Sequence, residues 1–135
     1  GLLAAIAIAS FKRIQEKSEN STIANDLRTY SQAFETYALE RGAWPGNTNA
    51  PQLIPAEMVD RIKAGDWTKA TPGGGQWDWE GPGTPLGVTA AISIFGSNFT
   101  DARWTQIDAM IDDGNLNTGR FRKLSDGRPA LVLED

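Results

Sequence analysis

The feature that most constrains this 135-residue chain is a long stretch without a helix breaker. No proline falls between residues 2 and 41, and the first glycine after Gly1 is Gly42. The stretch opens as GLLAAIAIAS, almost devoid of polar side chains, and then meets Lys12 and Arg13. Its later part carries an apolar stripe at Ile23, Leu27, Tyr30, Phe34 and Tyr37, whose spacings of four and three share one helical face. Gly42 can take the left-handed conformation that closes a helix, and Pro45 prevents a restart. At about 1.5 Å per residue such a helix is roughly 60 Å long, far above the mean of ~11–12 residues. A domain of this size cannot cover it all. We therefore expect residues 1–22 to form a projecting apolar half and residues 23–135 to form a globular head. The apolar run is shorter than the ~20 residues that span a bilayer. The projecting half thus needs either a membrane or copies of the same helix.

Composition narrows the chemistry. The formal charge is −4, which disfavours nucleic acid as a partner, because phosphate binding wants a basic face. Cysteine and histidine are both absent. Disulfides, thiolate metal sites, the usual general base and the Ser-His-Asp arrangement are therefore excluded. We expect a protein that is not an enzyme. A carboxylate-dependent hydrolase is the catalytic chemistry this composition leaves open.

Beyond Trp44 the chain turns irregular and rich in Pro, Gly, Asn and Thr. A helical patch is expected at PAEMVDRIKAG, with Pro55 at its first position. WDWE at 77–80 and GVTAAISIF at 87–95 read as strands. FTDARWTQIDAMIDDG reads as a second helix, with Thr100 as N-cap, Phe99 and Trp104 as a hydrophobic staple, and Gly114 at its end. RFRKL and RPALVLE, joined by SDG, read as a hairpin. The fold class expected is α+β: a long N-terminal helix packed on a small antiparallel sheet, with an irregular loop region and one inserted short helix.

Two clusters are candidate sites. Asp108, Asp112 and Asp113 crowd the end of the second helix, where like charges at i,i+4 and the helix dipole both disfavour them. Something positive should offset them. One reading is calcium held by Asp112, Asp113, Asn115 and Asn117, although DDGNLNTG departs from an EF-hand loop in its displaced Gly119 and its missing bidentate Glu. The plainer reading is a solvated helix end near Arg120 and Arg122. In WDWE, Trp77 and Trp79 share one strand face, and Asp78 and Glu80 share the other. Aromatic platforms beside carboxylates suit sugars, which makes a carbohydrate-binding head on a membrane-anchored helical stalk the alternative function. The plainer reading is core packing against the long helix, with the carboxylates on a wet face.

GLLAAIAIASF, the amphipathic continuation to ALERGAWPG, and the order of elements after it resemble the type IV pilin and type II secretion pseudopilin family. GLLAAIAIASF is similar to the second half of that family's apolar N-terminal segment, and the resemblance implies that the first half is missing here. It further implies a subunit held in the bacterial inner membrane with a periplasmic head. Such a subunit then assembles with copies of itself and related pilin-like subunits, through pilus or secretion machinery, into a periplasmic or extracellular filament. Leu2, Leu3, Ile6, Ile8 and Phe11 would form the assembly helix, with Ala4, Ala5, Ala7 and Ala9 permitting close approach. A proline commonly follows the AIAI run in the family. Ala9 stands in its place here, so a straighter helix is expected.

Overall fold

A computed structural model describes the backbone of residues 2–135 and the side chains of residues 4–135. The chain adopts the α+β arrangement expected from its sequence. Helix α1 (Leu2–Arg41) is unbroken for 40 residues, running straight through Ala9. It closes where the Gly42 N–H donates to the Ala38 carbonyl, at a glycine φ of 77°. Strands β1 (Gln76–Glu80), β2 (Ala90–Phe95), β3 (Phe121–Lys123) and β4 (Pro129–Glu134) form one antiparallel sheet in the order β1-β2-β4-β3. Helix α3 (Asp101–Ile111) crosses between β2 and β3 and packs on α1.

The stripe on the second half of α1 forms the spine of the core. Ile23, Leu27 and Phe34 are fully buried, Tyr30 nearly so, and Tyr37 partly. They meet the sheet face that carries Trp77, Trp79, Ile92, Ile94, Phe121 and Leu131. The register sets Trp77 opposite Ile94, Trp79 opposite Ile92, and Ile92 opposite Leu131, so large side chains from neighbouring strands share one layer. A seam of polar contacts joins α1 to α3. Asn20 is buried there, donating to Gln106 at 3.0 Å and accepting from the Arg103 guanidinium at 3.0 Å.

Several local expectations shift. The PAEMVDRIKAG patch is two pieces: a 3-10 turn at Ala56–Met58 preceded by Pro55, and the four-residue helix α2 (Ala64–Trp67). Lys63 between them is extended, at φ −67° and ψ 123°, which ends helical propagation. Strand β2 starts at Ala90 rather than at Gly87. Helix α3 stops at Ile111, because Asp112 leaves the helical conformation and turns its carboxylate toward the N–H groups of Arg120 and Phe121. The start of α3 follows expectation: Thr100 Oγ1 accepts from the Arg103 N–H, and the Phe99 and Trp104 rings lie 5.5 Å apart. Substituting Thr100→Ala should cost about 1 kcal/mol in urea unfolding, the usual loss of a hydroxyl N-cap.

Candidate functional site

The first half of α1 stands clear of the head. Residues 4–15 are all exposed, and the apolar Ile6, Ile8, Phe11 and Ile14 are 62–70% exposed. Leu2 and Leu3, also expected in the assembly helix, have side chains outside the described residues. Helix periodicity sets the direction of the rest. At 3.6 residues per turn, the nine residues from Ile14 to Ile23 make about two and a half turns. Ile14 therefore points away from the head that Ile23 faces. Phe11 lies about four and a half turns before Leu27 and points the same way. The helix is apolar nearly all round up to Ala9, and then narrows to a stripe facing away from the head. Among the described residues, no helix is long and apolar enough to cross a membrane.

Trp77 and Trp79 do not form a platform open to a ligand. Trp79 is fully buried, stacked on Phe34 with ring centroids 3.9 Å apart, and its indole N–H donates to the Pro45 carbonyl. Trp77 is 2% exposed and packs against Tyr30 and Trp67. Trp67, from α2, completes this aromatic cluster. Nothing in the periodicity of its four-residue helix signals that role.

The opposite face of β1 also departs from expectation, since Asp78 and Glu80 are buried rather than wet. The β1–β2 connection and the β3–β4 turn fold over that face. They bring Leu86, Val88 and Leu124 against Ala91, Ala130 and Val132 in a second small core. Arg128, from the turn, reaches Asp78 at 2.8 Å and Glu80 at 3.0 Å while also holding Asp126. Ser93 donates to Glu80 from β2, and Thr84 donates to its other oxygen. One carboxylate oxygen, Asp78 Oδ1, is buried without a donor. Burial first, then the Glu80 charge, pushes the Asp78 carboxyl up to about 7 despite Arg128. Arg128, Ser93 and Thr84 hold both acids in place. The arrangement ties β1 and β2 to the β3–β4 turn.

The acidic cluster at the end of α3 contains Asp112 and Asp113 of the expected ligand set and adds Asp108. Asp108, Asp112 and Asp113 each place a carboxylate oxygen within 4.8 Å of the others. Asn115 and Asn117 line a shallow cleft with Asp101, Thr105 and Lys123, and the Asn115 side chain accepts from the Asn117 N–H as a turn does. Asp113 accepts from the Asn115 N–H and the Thr118 hydroxyl, which holds its carboxyl below the usual carboxylate range. Asp108 is fully buried, and burial, followed by the Asp113 charge, pushes it up to about 6. The arginines expected to neutralise this end are engaged elsewhere: the Arg120 side chain pairs with Glu35, and Arg122 with Asp135.

No protein-family model, curated protein or solved structure matches the chain.

Proposed function

We propose that this protein is a structural subunit of a filament of the type IV pilus or type II secretion pseudopilus kind, polymerising through the first half of α1. One observation carries the reading: the head buries only the second half of a continuous helix, while Ile6, Ile8, Phe11 and Ile14 stay exposed on the first. Burying such side chains is favourable by about 1.5–3 kcal/mol each, and isolated helix earns no such gain in water. A helix apolar all round belongs inside something. Parallel copies of α1 would supply that interior, with Ala4, Ala5, Ala7 and Ala9 allowing close approach and the stripe turned away from the head keeping the heads outside. Storage of the segment in the bacterial inner membrane before assembly, and the involvement of pilus or secretion machinery, rest on the family resemblance. A sugar-binding head using Trp77 and Trp79 is disfavoured, since both indoles are enclosed by the core.

The double variant Phe11→Glu with Ile14→Glu tests the reading. Expressed as the full-length precursor with its assembly machinery, the wild type should give fibres by electron microscopy and the variant none. Both sites are exposed in the free head, so the melting temperature should stay put, with stability changed by less than about 0.5 kcal/mol. Fibres of normal length from the variant would refute assembly through α1.

A further inference from the structure

We propose that Asp78, Glu80 and Arg128 form a proton-operated clasp. With one proton shared between the two acids, the β1–β2 connection and the β3–β4 turn lie closed over the sheet, and loss of that proton lets them lift. The clasp sits on the face of the sheet away from α1, so it is independent of the filament reading. Asp78 and Glu80 are 6% and 4% exposed. They stand two residues apart on one face of β1 and within hydrogen-bond reach of one another. A single guanidinium nitrogen, Arg128 Nη1, donates to both, at 2.8 and 3.0 Å. Two buried carboxylates this close do not both ionise without a large cost, whereas a proton on one turns the repulsion into a hydrogen bond.

Asp78 is the member that keeps the proton. Glu80 accepts from the Ser93 hydroxyl at 3.0 Å and from the Thr84 hydroxyl at 2.6 Å. Asp78 Oδ1 is buried with no donor among the described residues. Burial and then the Glu80 charge accordingly push the Asp78 carboxyl up to about 7. The elements packed around the pair bring no second cation. Besides Arg128, the β3–β4 turn contributes Asp126, which accepts from Arg128 Nε at 2.7 Å. β2 contributes Ser93, the β1–β2 connection Thr84, and the loop after α1 the uncharged Asn47, Thr48 and Asn49. Ionising Asp78 therefore leaves three carboxylates sharing one guanidinium.

The closure is light enough to yield to that charge. Leu86, Val88 and Leu124 cover only Ala91, Ala130 and Val132, a far smaller core than the one spanned by α1. Opening the outer face gives solvent access to Asp78 and costs few apolar contacts, while the α1 side of the sheet stays shut.

Amide hydrogen exchange of the whole chain, read by NMR as protection factors so that the intrinsic pH dependence drops out, tests the clasp. The reporting amides are Thr84, which donates to the Gly81 carbonyl, and Leu124 and Gly127, which close the turn. A carboxyl raised from 3.8 to about 7 by closure favours the closed form fully below about pH 4 and loses that contribution as pH rises to about 7. Protection at the three amides should fall by up to about tenfold per unit between about pH 5 and pH 7, then level off. At each pH they should exchange faster than Leu27 and Phe34 of the α1 stripe, which are fully buried. Asp78→Asn cannot titrate and offers Glu80 an amide N–H in place of the proton. It should flatten the profile and leave protection at pH 7 above that of wild type. Carbon NMR of the wild type should place the Asp78 titration near pH 7. Four results would each overturn the proposal: an Asp78 titration near pH 4; protection at the three amides indifferent to pH; exchange there no faster than at Leu27 and Phe34; or a wild-type slope in Asp78→Asn.

Discussion

Replacing Arg128 with methionine is expected to destabilise the fold by about 3–5 kcal/mol near neutral pH, the usual result of stranding buried carboxylates without their cation. Arg128 is the only cationic group among the described residues paired with Asp78 and Glu80, whose side chains are 8% and 5% exposed. Methionine keeps much of the aliphatic stem and removes the charged guanidinium, which lies over the Phe95 ring. The deficit should depend on pH in a defined direction. The Asp78 carboxyl is raised in the fold to about 7, from an ordinary 3.8, by burial and then by Glu80. A group raised in this way binds its proton more tightly folded than unfolded. It favours the fold below its unfolded value and loses that contribution as pH rises through the folded one. Arg128 lowers that carboxyl, so its loss pushes Asp78 higher still. The variant's deficit should therefore be greatest above about pH 7 and shrink toward about pH 4, as Asp78 takes up its proton. Urea unfolding at the two ends of that range checks it. A deficit of equal size at both would show that Arg128 acts by packing rather than charge.

Trp79→Ala should be at least as damaging, at about 3–5 kcal/mol, in a domain whose whole stability is expected to be about 5–15 kcal/mol. The indole is fully buried and stacked on Phe34 at 3.9 Å, with Trp44 6.0 Å away, so its removal leaves a cavity at the centre of the aromatic cluster. Its N–H also ties the chain after α1 to the sheet through the Pro45 carbonyl. Gly81 packs so close that a Cβ there would sit 2.6 Å from the indole nitrogen, which leaves little freedom to collapse inward. Loss of near-ultraviolet circular dichroism and a lowered urea midpoint are the expected readouts. Trp79→Phe should fall between wild type and Trp79→Ala, keeping the stack and losing the hydrogen bond.

What the sequence made legible divides by range of interaction. The α1 stripe, the β3–β4 hairpin and the Thr100 cap are local patterns, and each formed as its spacing indicated. Asp78 and Glu80 misled, because WDWE alternates as a half-wet strand does. The second face is closed by loops remote in sequence, which bring Leu86, Val88 and Leu124 over it and Arg128 from 50 residues beyond Asp78. Trp67 lies in a segment too short to have a period. The crowding of Asp108, Asp112 and Asp113 was plain from their numbers alone. The burial of Asp108 was not, because it depends on how α3 lies against the loop leading to β3. The exposed half of α1 was legible as a length that no head of this size could cover.

The continuity of α1 also fixes an angle. Because no proline or glycine interrupts residues 2–41, the bearing of Phe11 and Ile14 relative to the head is set by residue count alone. Inserting one residue anywhere between Ile14 and Glu19 would swing the stalk stripe about 100° around the axis and move it about 1.5 Å along it. Four inserted residues would nearly restore the bearing. In any assembly of these helices, the compass direction of every head is written into the spacing between its two apolar stripes. Substitutions in that spacer should then be tolerated far better than insertions or deletions.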